Sequence, residues 1–118
     1  MSKVQEIIKR KNERKKKLEN ALESIKLQLI NLGAKRIILF GSLNNDNIDI
    51  YSDLDLLVIM PSIKTGKEWM DFIYDKFERH IASDIIVYNE QEYKENLSNN
   101  SFLIEIVNTG KIIYEAKS

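Results

Sequence analysis

Two short apolar runs, each broken by residues foreign to a strand interior, constrain this chain more than anything else in it. Ile37-Ile38-Leu39-Phe40 halts at Gly41-Ser42, and ten residues later Asp53-Leu54-Asp55 opens a second run that lasts to Met60. Runs of this length and composition read as interior strands, dry on both faces. Side chains alternate across a strand, so Asp53 and Asp55 project from one face, about one pleat repeat apart. Two carboxylates that close repel unless a cation sits with them. If the two strands run antiparallel, Gly-Ser and Asp-x-Asp fall at one end of one sheet. The glycine admits close backbone approach, and the serine offers a hydroxyl and an N–H to a phosphate oxygen. Phosphate on one side and a divalent cation on the other make a nucleotide site.

A third carboxylate joins them through topology. Pro61 closes the second strand, since it cannot donate to a ladder. Thr65-Gly66-Lys67-Glu68 is a capping box that predicts a helix to about Ile81, with Trp69, Ile73, Phe77 and Ile81 on one core-facing stripe. A helix between two strands suits a crossover that makes them parallel. The next strand, Asp84 to Tyr88, then begins at the end of the sheet where Asp53 and Asp55 begin theirs. Each signal alone is weak: Gly-Ser is usually a turn, and Asp-x-Asp usually a solvated loop mouth. Together they place three like charges on one edge, with no cation near them in sequence. His80, the only histidine, falls in the helix's last turn and reads as structural or incidental.

The rest of the chain supplies cover. Residues 3–32 predict one long helix, with apolar residues at Val4, Ile7 and Ile8, then at Leu18, Leu22, Ile25, Leu29 and Leu32, and Gly33 as its stop. Between those stripes lies the basic run Lys9 to Lys17, so the back half should pack on the sheet and the front half project. The net charge of zero hides an asymmetry: eleven Lys/Arg against four Asp/Glu over residues 1–36, and seven against fourteen over 37–118. A basic run is most often a solvated helix face; an acidic partner is the next reading, and nucleic acid the last. Glu90 to Asn96 predicts a short polar helix, Asn99-Asn100-Ser101 caps another through Asn108 that Gly110 ends, and Lys111 to Glu115 closes as a strand. The expected architecture is one α/β (α+β) domain over residues 1–118, a helix over 1–33 and a core over 34–118, with a mixed sheet of three or four strands. Without cysteine there is no disulfide or thiolate metal site, which fits the cytoplasm. No run is long and apolar enough to span a membrane.

Gly-Ser, ten residues, Asp-x-Asp and a later strand carboxylate together resemble the signature of the DNA polymerase beta-like nucleotidyltransferases. Over Ala34 to Tyr114 the chain is similar to their smallest branch, the minimal nucleotidyltransferases, many of which are antitoxins beside a HEPN-domain toxin. The resemblance implies that Asp53, Asp55 and Asp84 bind Mg2+, in a one- or two-metal site, and carry catalysis. It implies that Gly41 and Ser42 hold the phosphates of ATP or another NTP. The acceptor it implies is a hydroxyl, typically a Tyr, on a HEPN ribonuclease, adenylylated and silenced. Two rival roles accompany it: an antitoxin that neutralises by binding alone, and the catalytic subunit of a small-molecule transferase. One departure stands out. The family commonly carries an Arg and a Gly soon after Gly-Ser, where this chain has Asn44, Asn45 and Asp46. That removes a cation and adds an anion near the expected phosphates. Acceptor, base preference and self-association are left open by the sequence.

Overall fold

The computed structural model describes residues 2–77 and 83–117. Its first element is helix α1 (Lys3–Leu32), 30 residues long, about 45 Å at 1.5 Å per residue. Ser2 caps it in a box with Gln5, whose side chain returns to the Ser2 N–H. Gly33 ends it at φ 106°, a left-handed conformation that a side chain would strain, while the Gly33 and Ala34 N–H groups bond back to Ile30 and Leu29.

Strand β1 (Arg36–Phe40) runs straight into a four-residue turn of helix, α2 (Gly41–Asn44), and strand β2 (Leu54–Met60) follows the loop after it. Helix α3 (Gly66–Lys76) starts at the Thr65–Glu68 capping box and crosses to strand β3 (Ser83–Asn89). Helices α4 (Glu90–Asn96) and α5 (Ser101–Thr109) lead to strand β4 (Lys111–Glu115). The sheet order is β3-β2-β1-β4. β1 is antiparallel to β2 and β4, and β2 is parallel to β3, so the fold is α+β with a mixed four-stranded sheet.

Small differences from the sequence reading have local causes. β2 begins at Leu54, because Asp53 still belongs to the preceding loop. β3 gains Ser83 and Asn89, which pair with Leu54 and Met60 on its neighbour. The helix predicted to about Ile81 ends instead at Lys76, where Phe77 turns to extended backbone at ψ 136°. The readings of His80 and Ile81 lie outside the described residues.

The two faces of the sheet are covered differently. Leu39, Leu54, Leu56, Val58 and Ile85 point to one face, against Leu18, Ile25 and Leu29 of α1 and Trp69 and Ile73 of α3. Ile38, Leu57 and Ile59 point to the other, beneath Leu103 and Ile106 of α5. Asp55 shares the alternation of Leu57 and Ile59, and Asp84 that of Ile86 and Tyr88. Both acids therefore rise from the second face. At the other end of α1, every residue from Lys3 to Glu13 is exposed.

Candidate active site

Register brings the motif together. Phe40 at the end of β1 stands opposite Asp55, and Asp55 stands beside Asp84 on the parallel neighbour. The chain leaves Phe40 through Gly41, whose φ of 76° suits glycine alone, and a Cβ there would run into the Asp55 carboxylate. The α2 turn is then fixed to the end of α5, with the Asn44 side-chain amide donating to the Thr109 carbonyl at 3.2 Å. The Ser42 carbonyl accepts from the Asn47 N–H at 3.0 Å. Gly41 thus lets the turn lie directly against an acid.

The electrostatics record the crowding. Asp55 has its pKa pushed up to about 6, first by burial and then by the negative charges of Asp84 and Asp53. A cation in that space would offset the cost of burial and relieve the repulsion from Asp84 and Asp53, and an all-oxygen donor set suits a hard ion such as Mg2+. The residues present fit a divalent metal in chemistry. Among the described residues, however, no three His, Cys, Asp or Glu side chains already converge closely enough to hold one. Asp55 and Asp84 line a cleft of about 350 Å³ together with Phe40, Met70, Tyr74, Ile85, Ile86 and Phe102. A second cleft of about 250 Å³ adjoins it across Phe40 and Phe102, reaching Gly41, Asn44 and Thr109. Those two rings meet edge to face, with centroids 6.3 Å apart. Asp53 shares the edge but lines neither cleft.

Two long side chains that sequence reasoning missed hold the ends of the acid strands. Tyr74 on α3 donates its hydroxyl to the Ser83 carbonyl at 3.3 Å and accepts from the Ile85 N–H at 3.1 Å. It thereby grips the free edge of β3 on either side of Asp84. Arg14 on α1 donates from Nε to the Ser52 carbonyl at 2.8 Å, and its Nη2 lies 3.7 Å from Asp53 Oδ1. Its neighbour Lys15 bonds Asp46 at 3.0 Å. The expectation that the acids have no cation near them holds only along the sequence; α1 delivers one from 39 positions away. No signal marked Arg14 within its run of like charges, because only packing decides which turn of α1 faces the loop.

The profile of the nucleotidyltransferase domain family matches residues 15–114. The chain belongs to that family. A crystal structure of a Sulfolobus solfataricus protein assigned to the nucleotidyltransferases superposes with a TM-score of 0.54 at 17% identity, over 92% of this chain and 86% of that one. At that identity the likeness shows a shared fold. No curated protein matches the chain. The family match reaches upstream of Ala34 into α1, so it takes in Lys15, a residue that touches the loop before Asp53. No helix among the described residues is long and apolar enough to cross a membrane.

Proposed function

We propose that this nucleotidyltransferase moves a nucleoside monophosphate, AMP from ATP in the first instance, onto a hydroxyl of a partner protein. The observation that carries the reading is Asp55 set beside Asp84 with Gly41 backed against it, an acid pair facing a turn that can admit phosphate. Gly41 and Ser42 hold the outer phosphates through backbone N–H and hydroxyl. Asp84, the more exposed acid, accepts the proton of the incoming hydroxyl. The acceptor oxygen bonds the α-phosphorus in line, the bond to the bridging oxygen breaks, and pyrophosphate leaves. Mg2+ held by Asp53, Asp55 and Asp84 would neutralise phosphate charge and lower the barrier to that displacement. Ser42 is a holder and not a nucleophile, since no histidine among the described residues stands by to activate it.

The acceptor is the finer part of the reading. The clefts are shallow and walled by Phe40, Phe102, Met70 and Tyr74, so an acceptor presented on a second protein's surface suits them. By family resemblance that protein is a HEPN ribonuclease toxin and this chain its antitoxin. A second reading, neutralisation by binding alone, is favoured by the Asn44–Asp46 loop, which places no cation beside the phosphates. Incubation with α-labelled ATP, Mg2+ and a candidate HEPN-type partner protein separates the two. Label on the partner, absent with Asp55→Asn, is expected. A partner silenced without nucleotide and never labelled would leave binding alone.

A further inference from the structure

From the α2 turn to the start of β2, residues 41–53 contain Asp46, Asp49 and Asp53 and no Lys or Arg. The loop's own contacts are short-range: the Asp49 N–H bonds Ser52 Oγ at 2.9 Å and the Tyr51 N–H bonds Asp49 Oδ1 at 2.7 Å. These bonds fix the turn's own shape; its direction relative to the sheet depends on contacts beyond it, Ile48 against the core among them. Beyond the α2 turn, which Asn44 ties to the Thr109 carbonyl, the described long-range polar contacts to residues 45–53 come from α1, at the first two residues where that helix ceases to be fully exposed. Arg14 is the better built of the pair. Its side chain is 22% exposed, against 45% for Lys15, and its shortest contact is to backbone.

We infer that Arg14 is a positioning residue for Asp53. By holding the Ser52 carbonyl it fixes the backbone one residue before the acid and keeps that carboxyl at the edge where Asp55 feels its charge. The contact to the carboxylate itself, at 3.7 Å, is too long for a hydrogen bond, so the lone pairs of Asp53 stay available to a cation. Arg14 therefore aims the acid without occupying it. The guanidinium is needed, because its rigid plane directs Nε at the carbonyl while holding its charge beside the carboxylate, and a lysine ammonium on a flexible stem fixes neither relation. This inference rests on the nucleotidyl-transfer reading only for what Asp53 is aimed at; the aiming is a property of the loop.

The test pairs a binding measurement with one that needs no ligand. Titration of the full chain with Mn2+ and a non-hydrolysable ATP analogue should show Arg14→Gln and Arg14→Lys both weakened about 10–100-fold, the usual effect of removing a partner that orients a metal ligand. Amide exchange over residues 46–53 should speed in both variants, with residues 56–60 of β2 unchanged. Lys16→Gln, two residues along and exposed, should alter neither. Unchanged or tighter binding in Arg14→Gln would overturn the inference, making Arg14 a mere staple or a competitor for the acid. Full affinity in Arg14→Lys would overturn it too, since charge alone would then suffice. Unaltered exchange over 46–53 would dispose of the loop's dependence on Arg14 whatever the titration shows. If the unmodified chain binds neither Mn2+ nor analogue, the proposed function falls, and exchange alone decides the role of Arg14.

Discussion

The two faces of the sheet were given different tasks by two sets of helices. One face lies under α1 and α3, 30 and 11 residues long, and its core runs continuously from Leu18 and Trp69 down to Val87. The other lies under α4 and α5, seven and nine residues long, with a smaller core around Leu57 and Ile106. That shorter cover stops before Asp55 and Asp84 and leaves the cleft they line beside Phe40 and Phe102. A closed face supplies most of the buried apolar area, and so most of the stability. An open face can then tolerate three like charges. Their separation across one strand is possible because β2 alternates: Leu54 and Leu56 serve one face while Asp55 serves the other.

Substitutions along β2 should break that comparison in opposite directions. Leu56→Ala, at a fully buried position on the closed face, should lower stability by about 2–5 kcal/mol. Chemical denaturation would show the midpoint fall, while any folded fraction keeps its nucleotide affinity. Its neighbour on the open face should behave inversely. Asp55→Asn should cut transfer about 10²–10³-fold, the scale of losing one charge-stabilising group, yet raise the stability of the metal-free chain.

The sign of that gain follows from the pKa. Asp55 holds its proton more tightly folded, at about 6, than at the ordinary 3.8. Its contribution therefore favours folding most at low pH, declines as pH rises through that interval, and is fully adverse above about 6. The shift corresponds to about 3 kcal/mol at 1.36 kcal/mol per unit, which solvent screening of a half-exposed group reduces to about 1 kcal/mol. Denaturation of the Asn variant at pH 7.5 should show that increase, and the pH 4–6 slope should flatten. A variant less stable than its parent would make Asp55 a structural acid. The smallest effect belongs to the outer surface of α1. Lys16→Gln with Lys17→Gln should stay within about ±0.5 kcal/mol, since both are exposed and neither has a described partner.

Much of this was legible in the chain itself, for reasons of local physics. Apolar runs marked β1 and β2, because a strand buried on both faces has few ways to be written, and a shorter apolar run marked the edge strand β3. Thr65-Glu68 and Gly33 marked helix ends, because unsatisfied N–H and C=O groups must be met within a few residues. The shared edge of Asp55 and Asp84 followed from counting strands and one crossover. What sequence could not show was decided at longer range. The end of the helix after Thr65 at Lys76, where Phe77 turns to extended backbone, is announced by no capping signal. The hold of Tyr74 on the edge of β3 depends on where α3 lies across the sheet. Above all, the run Lys9 to Lys17 carries one composition but two environments. Residues 9–13 are wholly exposed, while Arg14 and Lys15 meet the acidic loop. Periodicity gives the helix and its buried stripe, but the rotation and slide of α1 on the sheet are set by Leu18, Ile25 and Leu29 seating in the core. Only that seating selects which two cations among their neighbours come to rest beside Asp46 and Asp53.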